Sequence, residues 1–198
     1  MFLVSPLSSR NQFGNFLNER GLVEKGVEVG THRGEYASTL LKHWKGTLYC
    51  IDPWRFLPEY ENQSKFLEGS NGNRQLDYLA AKTSLAPYGP KAVIRKKTSR
   101  EGANDFREGS VDFVYLDGNH ERPYIDEDIS LWYPKVKSGG ILAGHDVVCP
   151  GPPSFDNWGK HIQNALIDFY RRVNLANFYI YLIIEEGGLP WSWYLEKP

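Results

Sequence analysis

The chain predicts an open, mostly parallel α/β sheet of the nucleotide-binding kind, and three observations carry that reading. Residues 111–146, VDFVYLDGNHERPYIDEDISLWYPKVKSGGILAGHD, give an apolar strand (Val111 to Leu116), a polar break, an amphipathic helix, a Gly139-Gly140 turn and a second apolar strand. A right-handed crossover of that kind makes its two strands parallel neighbours with adjacent C-terminal ends. Upstream, KGVEVG, the glycine loop Gly30-Thr31-His32-Arg33-Gly34, a helix and TLYCID reproduce the strand, loop, helix, strand and terminal acid order of a dinucleotide-type unit. Near the end, two short apolar runs separated by Glu185-Glu186-Gly187-Gly188 read as a closing antiparallel hairpin.

Taken in order, Arg10 to Arg20 carries Phe13, Phe16 and Leu17 at helical spacing and stops at Gly21, so a short leading helix is expected. Lys25 to Gly30 is the first buried strand and Glu35 to about Trp44 its helix. Thr47 to Asp52 is the next strand, with Asp52 22 positions after Gly30, close to the spacing of a ribose-binding acid. Residues 53–91 open on Pro53-Trp54-Arg55-Phe56, pass through a polar GSNGN and enter a helix from Arg74 to Ala86. The stretch is longer than a minimal crossover, which suits a wall over the binding edge. Ala92 to Thr98 is a third strand and Ser99 to Phe106 a short helix. Pro150 to Trp158 forms a proline-stiffened loop with Phe155 and Trp158 at its tip, followed by a helix to Arg172. The closing strands run over Phe178 to Ile184 and Trp191 to Leu195.

Composition narrows the function. A chain of 198 residues and 22.7 kDa holds one full core, so one domain is expected over 1–198: a helical cover at 1–23, a core at 24–147, and a loop, helix and hairpin at 148–198. Net charge is −1 with scattered Lys and Arg, which argues against nucleic acid as a partner. Cys50 and Cys149 lie too far apart for a metal or disulfide pattern and suit a reducing cytoplasm. No run has signal or membrane-spanning length, so a soluble, cytoplasmic protein without a membrane partner is expected. Six tryptophans and 14% aromatics supply core and, in part, the wall of a ligand pocket.

The chemistry gathers where the two central strands end. Asp117 and His120 follow the first and His145 and Asp146 end the second, so all four can converge at the edge where parallel sheets bind ligands. Bland readings stand beside the functional ones. Asp117 can be a helix N-cap, His120 can order its loop through both ring nitrogens, and His145-Asp146 can be a hydrogen-bonded pair with no metal. His43 and His161 read as surface or packing residues, and so does the His32 side chain, which has no converging acid in the sequence. Glu185-Glu186 reads as solvated.

The series VEVGTHRGEYA, YCIDPW, FVYLDGNH and WYPKVKSGGILAGHD resembles, over residues 24–147, the class I S-adenosylmethionine-dependent methyltransferases, in the small O-methyltransferase-like branch called methyltransferase family 24. The resemblance implies a Rossmann-like, seven-stranded, mostly parallel sheet with a reversed last strand and helices on both faces. It implies that Glu28, Gly30, Thr31, His32 and Gly34 form the donor-binding loop, with Asp52 on the ribose, Trp54 beside the adenosine, Ser99 on the adenine and Asp117 bordering the donor. His32 stands where the commonest family loop has a third glycine. In the metal-dependent members, such as catechol O-methyltransferase and macrolide-sugar methyltransferases, Asp117, His145 and Asp146 match the ligand positions. His120 matches the base three residues after the first acid. An imidazole among oxygen ligands suits manganese, iron or zinc at least as well as magnesium.

The leading expectation is methyl transfer from S-adenosylmethionine to a hydroxyl of a small molecule, a sugar or a phenol, with a divalent metal as an optional aid and a homodimer left open. The alternative is a non-catalytic S-adenosylmethionine-binding module. A nicotinamide oxidoreductase is disfavoured because Gly30 to Gly34 does not make GxGxxG.

Overall fold

The computed structural model describes residues 2–57, 73–147, 157–173, 179–185, 188 and 191–198, with the backbone alone at 157 and 158. Its strands are β1 (Phe2–Val4), β2 (Lys25–Val29), β3 (Thr47–Asp52), β4 (Ala92–Lys96), β5 (Val111–Leu116), β6 (Val136–Val147), β7 (Ile180–Ile183) and β8 (Trp191–Glu196). The helices are α1 (Phe13–Glu19), α2 (Glu35–His43), α3 (Arg74–Leu85), α4 (Ser99–Ala103), α5 (Tyr124–Trp132) and α6 (Asn157–Val173). The strands form one sheet in the order β1-β7-β8-β6-β5-β2-β3-β4. Every neighbouring pair is parallel except those of β8, which runs antiparallel to both β6 and β7. This is the Rossmann-like architecture with a reversed last strand.

Both faces are covered, which explains why the inner strands read as unbroken apolar runs rather than as alternating ones. Along β5, Val114 and Leu116 pack with Ile125, Ile129 and Trp132 of α5 and Leu166 of α6, while Phe113 and Tyr115 point the other way to Phe13 and Leu17 of α1 and Leu40 of α2. Cys50 is fully buried on that second face, as a packing residue. Nothing in the described helices is long and apolar enough to cross a membrane.

Several expectations need correction. The sheet has eight strands, not seven, because Phe2–Val4, within the stretch expected to be a helical cover, pairs in parallel with β7 through Phe2↔Ile180. Gly139-Gly140 is not a turn before a strand. Strand β6 runs through it, and the extra residues are absorbed as a register shift against β5 between Val111 and Phe113, with Gly139 at φ 73°. The third strand ends at Lys96 rather than Thr98. Thr98 instead caps α4, accepting from the Glu101 N–H while the Glu101 carboxylate accepts from the Thr98 N–H. Of the expected loop at 150–158, residues 150–156 with Phe155 and the Trp158 side chain lie outside the described residues, as do 58–72 of the stretch expected to wall the edge, Cys149 and Glu186; the backbone at 157 and 158 already belongs to α6.

Candidate active site at the C-terminal edge of the sheet

The strand order reverses between β2 and β5, and a crevice opens beyond their carboxyl ends, the expected ligand position in an open parallel sheet. The two loops that leave this point touch through their backbones. The Asp117 N–H donates to the Val29 carbonyl at 2.8 Å. Gly30 sits at φ 91°, and a Cβ there would stand 2.2 Å from the Asp117 carbonyl oxygen. No side chain fits between the loops.

Asp52 ends β3 and organises the glycine loop. Its carboxylate accepts from the His32 N–H at 2.9 Å and from the Trp54 N–H at 2.8 Å, and the Trp54 indole donates to the His32 carbonyl at 2.7 Å. Burial raises the Asp52 carboxyl above its ordinary value, with the Trp54 and His32 N–H bonds opposing. The non-glycine residues at positive φ among the described residues are His32 (49°), Trp54 (39°) and Asp146 (58°), and all three lie on this edge. Such strain collects where surrounding structure over-determines a functional geometry. It also accounts for a glycine being common where this chain has His32, since His32 keeps the left-handed backbone. The His32 ring, expected to lack an acid, lies 3.5 Å from the Asp77 carboxylate of α3.

A cleft of about 180 Å³ occupies this edge. Of the residues expected to bind the donor, Gly30, His32, Asp52, Ser99 and Asp117 line it. Glu28, Thr31, Gly34 and Trp54 are not among its lining residues. Glu28 and Thr31 are 2% and 4% exposed, and one Glu28 oxygen and the Thr31 hydroxyl lack hydrogen-bond partners. Burial pushes the Glu28 carboxyl up to about 8; the Thr31 hydroxyl opposes the rise and the Asp117 and Asp52 charges add to it.

The four convergent residues meet around Asp117, which alone among them lines the cleft. His120 Nδ1 lies 2.9 Å from Asp146 Oδ2, and His145 Nδ1 lies 2.9 Å from Asp146 Oδ1. Asp117 Oδ1 stands 3.8 Å from His120 Nε2 and 3.9 Å from His145 Nδ1. The left-handed backbone of Asp146 turns its carboxylate back between the two imidazoles. Those imidazoles hold Asp146 well below the ordinary carboxylate range despite its burial. Desolvation lowers the His120 pKa, but the Asp146 hydrogen bond and the Asp146 and Asp117 charges outweigh it and hold the pKa above the usual 6.5. His120 Nε2 is buried without a hydrogen-bond partner. The N-cap reading of Asp117 fails, since α5 begins after Pro123 and no side chain caps it.

Sequence reasoning passed over four residues here. Arg10 places Nη1 3.6 Å from Asp117 Oδ2, with its guanidinium 4.7 Å from the centre of the Tyr36 ring. The Arg10 N–H donates at 2.7 Å to Glu185, which is therefore engaged rather than merely solvated. Arg74, Asn119 and Asp128 line the cleft. Only Asp128 left a signal: with Ile125, Ile129 and Trp132 it makes an i, i+3, i+4, i+7 stripe, so an acid stands in the buried face of α5. Arg10 had none, being remote in sequence from everything it meets.

A family described as a methyltransferase domain matches residues 27–147, more than half of the chain. No curated protein matches it. Among solved structures, an O-methyltransferase from Bacillus cereus in complex with S-adenosylhomocysteine superposes with TM-score 0.67 at 13% identity, covering 98% of this chain and 83% of that one. The O-methyltransferase TomG of Streptomyces achromogenes, involved in tomaymycin synthesis and in complex with S-adenosylmethionine, gives 0.63 at 14% identity, covering 95% and 79%. The spermidine synthase of Thermotoga maritima gives 0.59 at 13% identity, covering 96% and 60%. At such identities the superpositions show a shared fold.

Proposed function

The chain belongs to the methyltransferase-domain family and is an S-adenosylmethionine-dependent methyltransferase, and from that premise we propose that it methylates a hydroxyl oxygen of a small molecule, a sugar or a phenol, with His120 as the base. The observation that carries this reading is the state of the His120 ring. One nitrogen is held by Asp146, while the other, Nε2, is buried without a partner beside Asp117. An imidazole fixed on one side by a carboxylate carries its proton on that side and offers a lone pair on the other.

The reaction asks little covalent chemistry of the protein. As the acceptor O–H loses its proton to Nε2, the oxygen attacks the sulfonium methyl carbon in line with the departing sulfur. The new C–O bond forms while the C–S bond breaks, and S-adenosylhomocysteine leaves with the electron pair. The work of the site is to hold oxygen and methyl in line and to place the base. Asp146 stabilises the imidazolium formed in that step.

The edge also suits a divalent ion. The residues whose ligand atoms lie within 4.8 Å of one another are Asp117, His120 and Asp146, rather than the expected Asp117, His145 and Asp146; an ion bound through His120 Nε2 would take the lone pair the base needs, so the two roles of that nitrogen are alternatives. Mixed imidazole and carboxylate donors fit manganese, iron or zinc as well as magnesium. Bound there, an ion supplies a positive charge that lowers the pKa of a nearby hydroxyl.

The test is His120→Ala with turnover measured against a panel of hydroxyl acceptors. Donor affinity should hold while kcat falls about 10²–10⁴-fold, the usual cost of losing a positioned base. Because the neutral ring is the base, parental kcat should rise with pH through one ionisation above 6.5. A variant with near-parental kcat would remove His120 from the chemistry.

A further inference from the structure

Asp128 has no part in the reaction described above, yet it is among the better-placed polar groups of the cleft. It is 7% exposed, lies on the inward face of α5 and borders the same cleft as Asp52 and Ser99. Its Oδ1 accepts from the Ser99 hydroxyl at 2.5 Å, and that hydroxyl in turn accepts from the Trp132 indole at 2.8 Å. The single Ser99 hydrogen is thus committed to Asp128, and Ser99 has none left to donate to a ligand. Asp128 Oδ2 has no hydrogen-bond partner among the described residues. Gly118, which also lines the cleft, lies beside it: a Cβ there would stand 3.9 Å from that oxygen, in ordinary contact. The Ser99 and Asp128 side chains therefore present acceptors to a cleft that Val29, Ile51 and Pro53 also line.

A carboxylate oxygen without a protein donor, in a cleft that Val29, Ile51 and Pro53 also line, selects a ring that carries an N–H donor on its edge. Adenine presents an exocyclic amino group at its six-position, whereas a 6-oxopurine presents a carbonyl there and would bring two acceptors face to face. Resting on the assignment of the methyl donor to this cleft with its ribose at Asp52, we propose that Asp128 reads the six-position of the donor's purine. Its free carboxylate oxygen accepts from the exocyclic amino group and so selects an adenine nucleoside over a 6-oxopurine one. Ser99 acts through Asp128 as a positioning residue, fixing the carboxylate with its one hydrogen.

The experiment is calorimetric titration of S-adenosylhomocysteine and S-inosylhomocysteine into the parent, Asp128→Asn and Asp128→Ser. It is run at pH 8, above the value of about 7 to which burial raises the Asp128 carboxyl. The parent should prefer the adenosyl ligand by about 10- to 100-fold, the usual effect of unpairing a hydrogen bond to a charged group. In Asp128→Asn the Ser99 hydroxyl still needs an acceptor, so the amide oxygen keeps the Oδ1 place and the amide N–H faces the ligand. The preference should then fall to near parity or reverse. Asp128→Ser, which tolerates loss of the Asn variant to misfolding, should lose the adenosyl preference without gaining affinity for the inosyl ligand. A parent that does not discriminate, or folded variants that keep the parental ratio, would overturn the proposal. A parent that binds neither ligand would instead refute the donor assignment, and the proposal would fall with it.

Discussion

Glu28→Gln offers a direct reading of how this edge is built. Glu28 sits in the middle of the sheet, with Cys50 and Tyr115 as its strand partners, and is 2% exposed with one oxygen unpartnered. Burial lifts its pKa from 4.5 to about 8. The folded chain therefore binds more protons than the unfolded chain between those values, and stability falls as pH rises through that window. The slope for one such group is about 1.4 kcal/mol per pH unit, so ionising Glu28 costs about 3 kcal/mol by pH 7 relative to pH 4.5. Glutamine has the same shape and never ionises. The difference in unfolding free energy between variant and parent should be near zero at pH 4.5 and favour the variant by about 3 kcal/mol at pH 7 and about 4 at pH 8. Urea denaturation of both proteins at half-unit pH steps measures it, and the subtraction removes every other titrating group. If the two stability curves run parallel from pH 5 to 8, Glu28 ionises freely in the folded chain and the account of its burial is wrong.

Three further outcomes follow from the same edge. Asp52→Ala should weaken donor binding by about 1.5–3 kcal/mol, the worth of hydrogen bonds to a charged group, and should loosen the loop that Asp52 holds through the His32 and Trp54 N–H groups; titration calorimetry at unchanged parental affinity would refute the ribose role. Gly30→Ala must place a Cβ 2.2 Å from the Asp117 carbonyl at φ 91°, so a loss of about 2–4 kcal/mol in urea denaturation is expected from strain and overpacking together. Activity should fall on chelation and return with a divalent ion, and a sample shown metal-free by elemental analysis yet fully active would remove the metal role from Asp117, His120 and Asp146.

The order of elements was readable from the chain wherever a local rule decides it. The α5 crossover makes β5 and β6 parallel, and their being neighbours as well, unlike β4 and β5, which α4 joins across two intervening strands, brings Asp117 and His120 to His145 and Asp146. Asp52 and Gly30 were readable because a strand, a glycine turn and a helix at fixed spacing leave few ways to fold. Other features depend on groups that meet only after the chain has closed. The pairing of Phe2–Val4 with β7 joins the two ends of the sequence, and no local pattern of three residues encodes a partner. The Gly139-Gly140 pair signals a backbone departure, but whether it becomes a turn or a bulge depends on whether β5 supplies pairing partners on both sides of it.

At the site the same division holds. The sequence by itself placed an acid and an imidazole at each of two strand ends. Tertiary structure decided which atoms face which, because the left-handed backbone at Asp146 sets its carboxylate between the two rings. Tertiary structure also brought Arg10 to Asp117 and turned the acid of the α5 stripe towards Ser99 and the cleft. Periodicity says that a residue is inside; it does not say what it meets there, since that is set by the packing of segments distant in the chain.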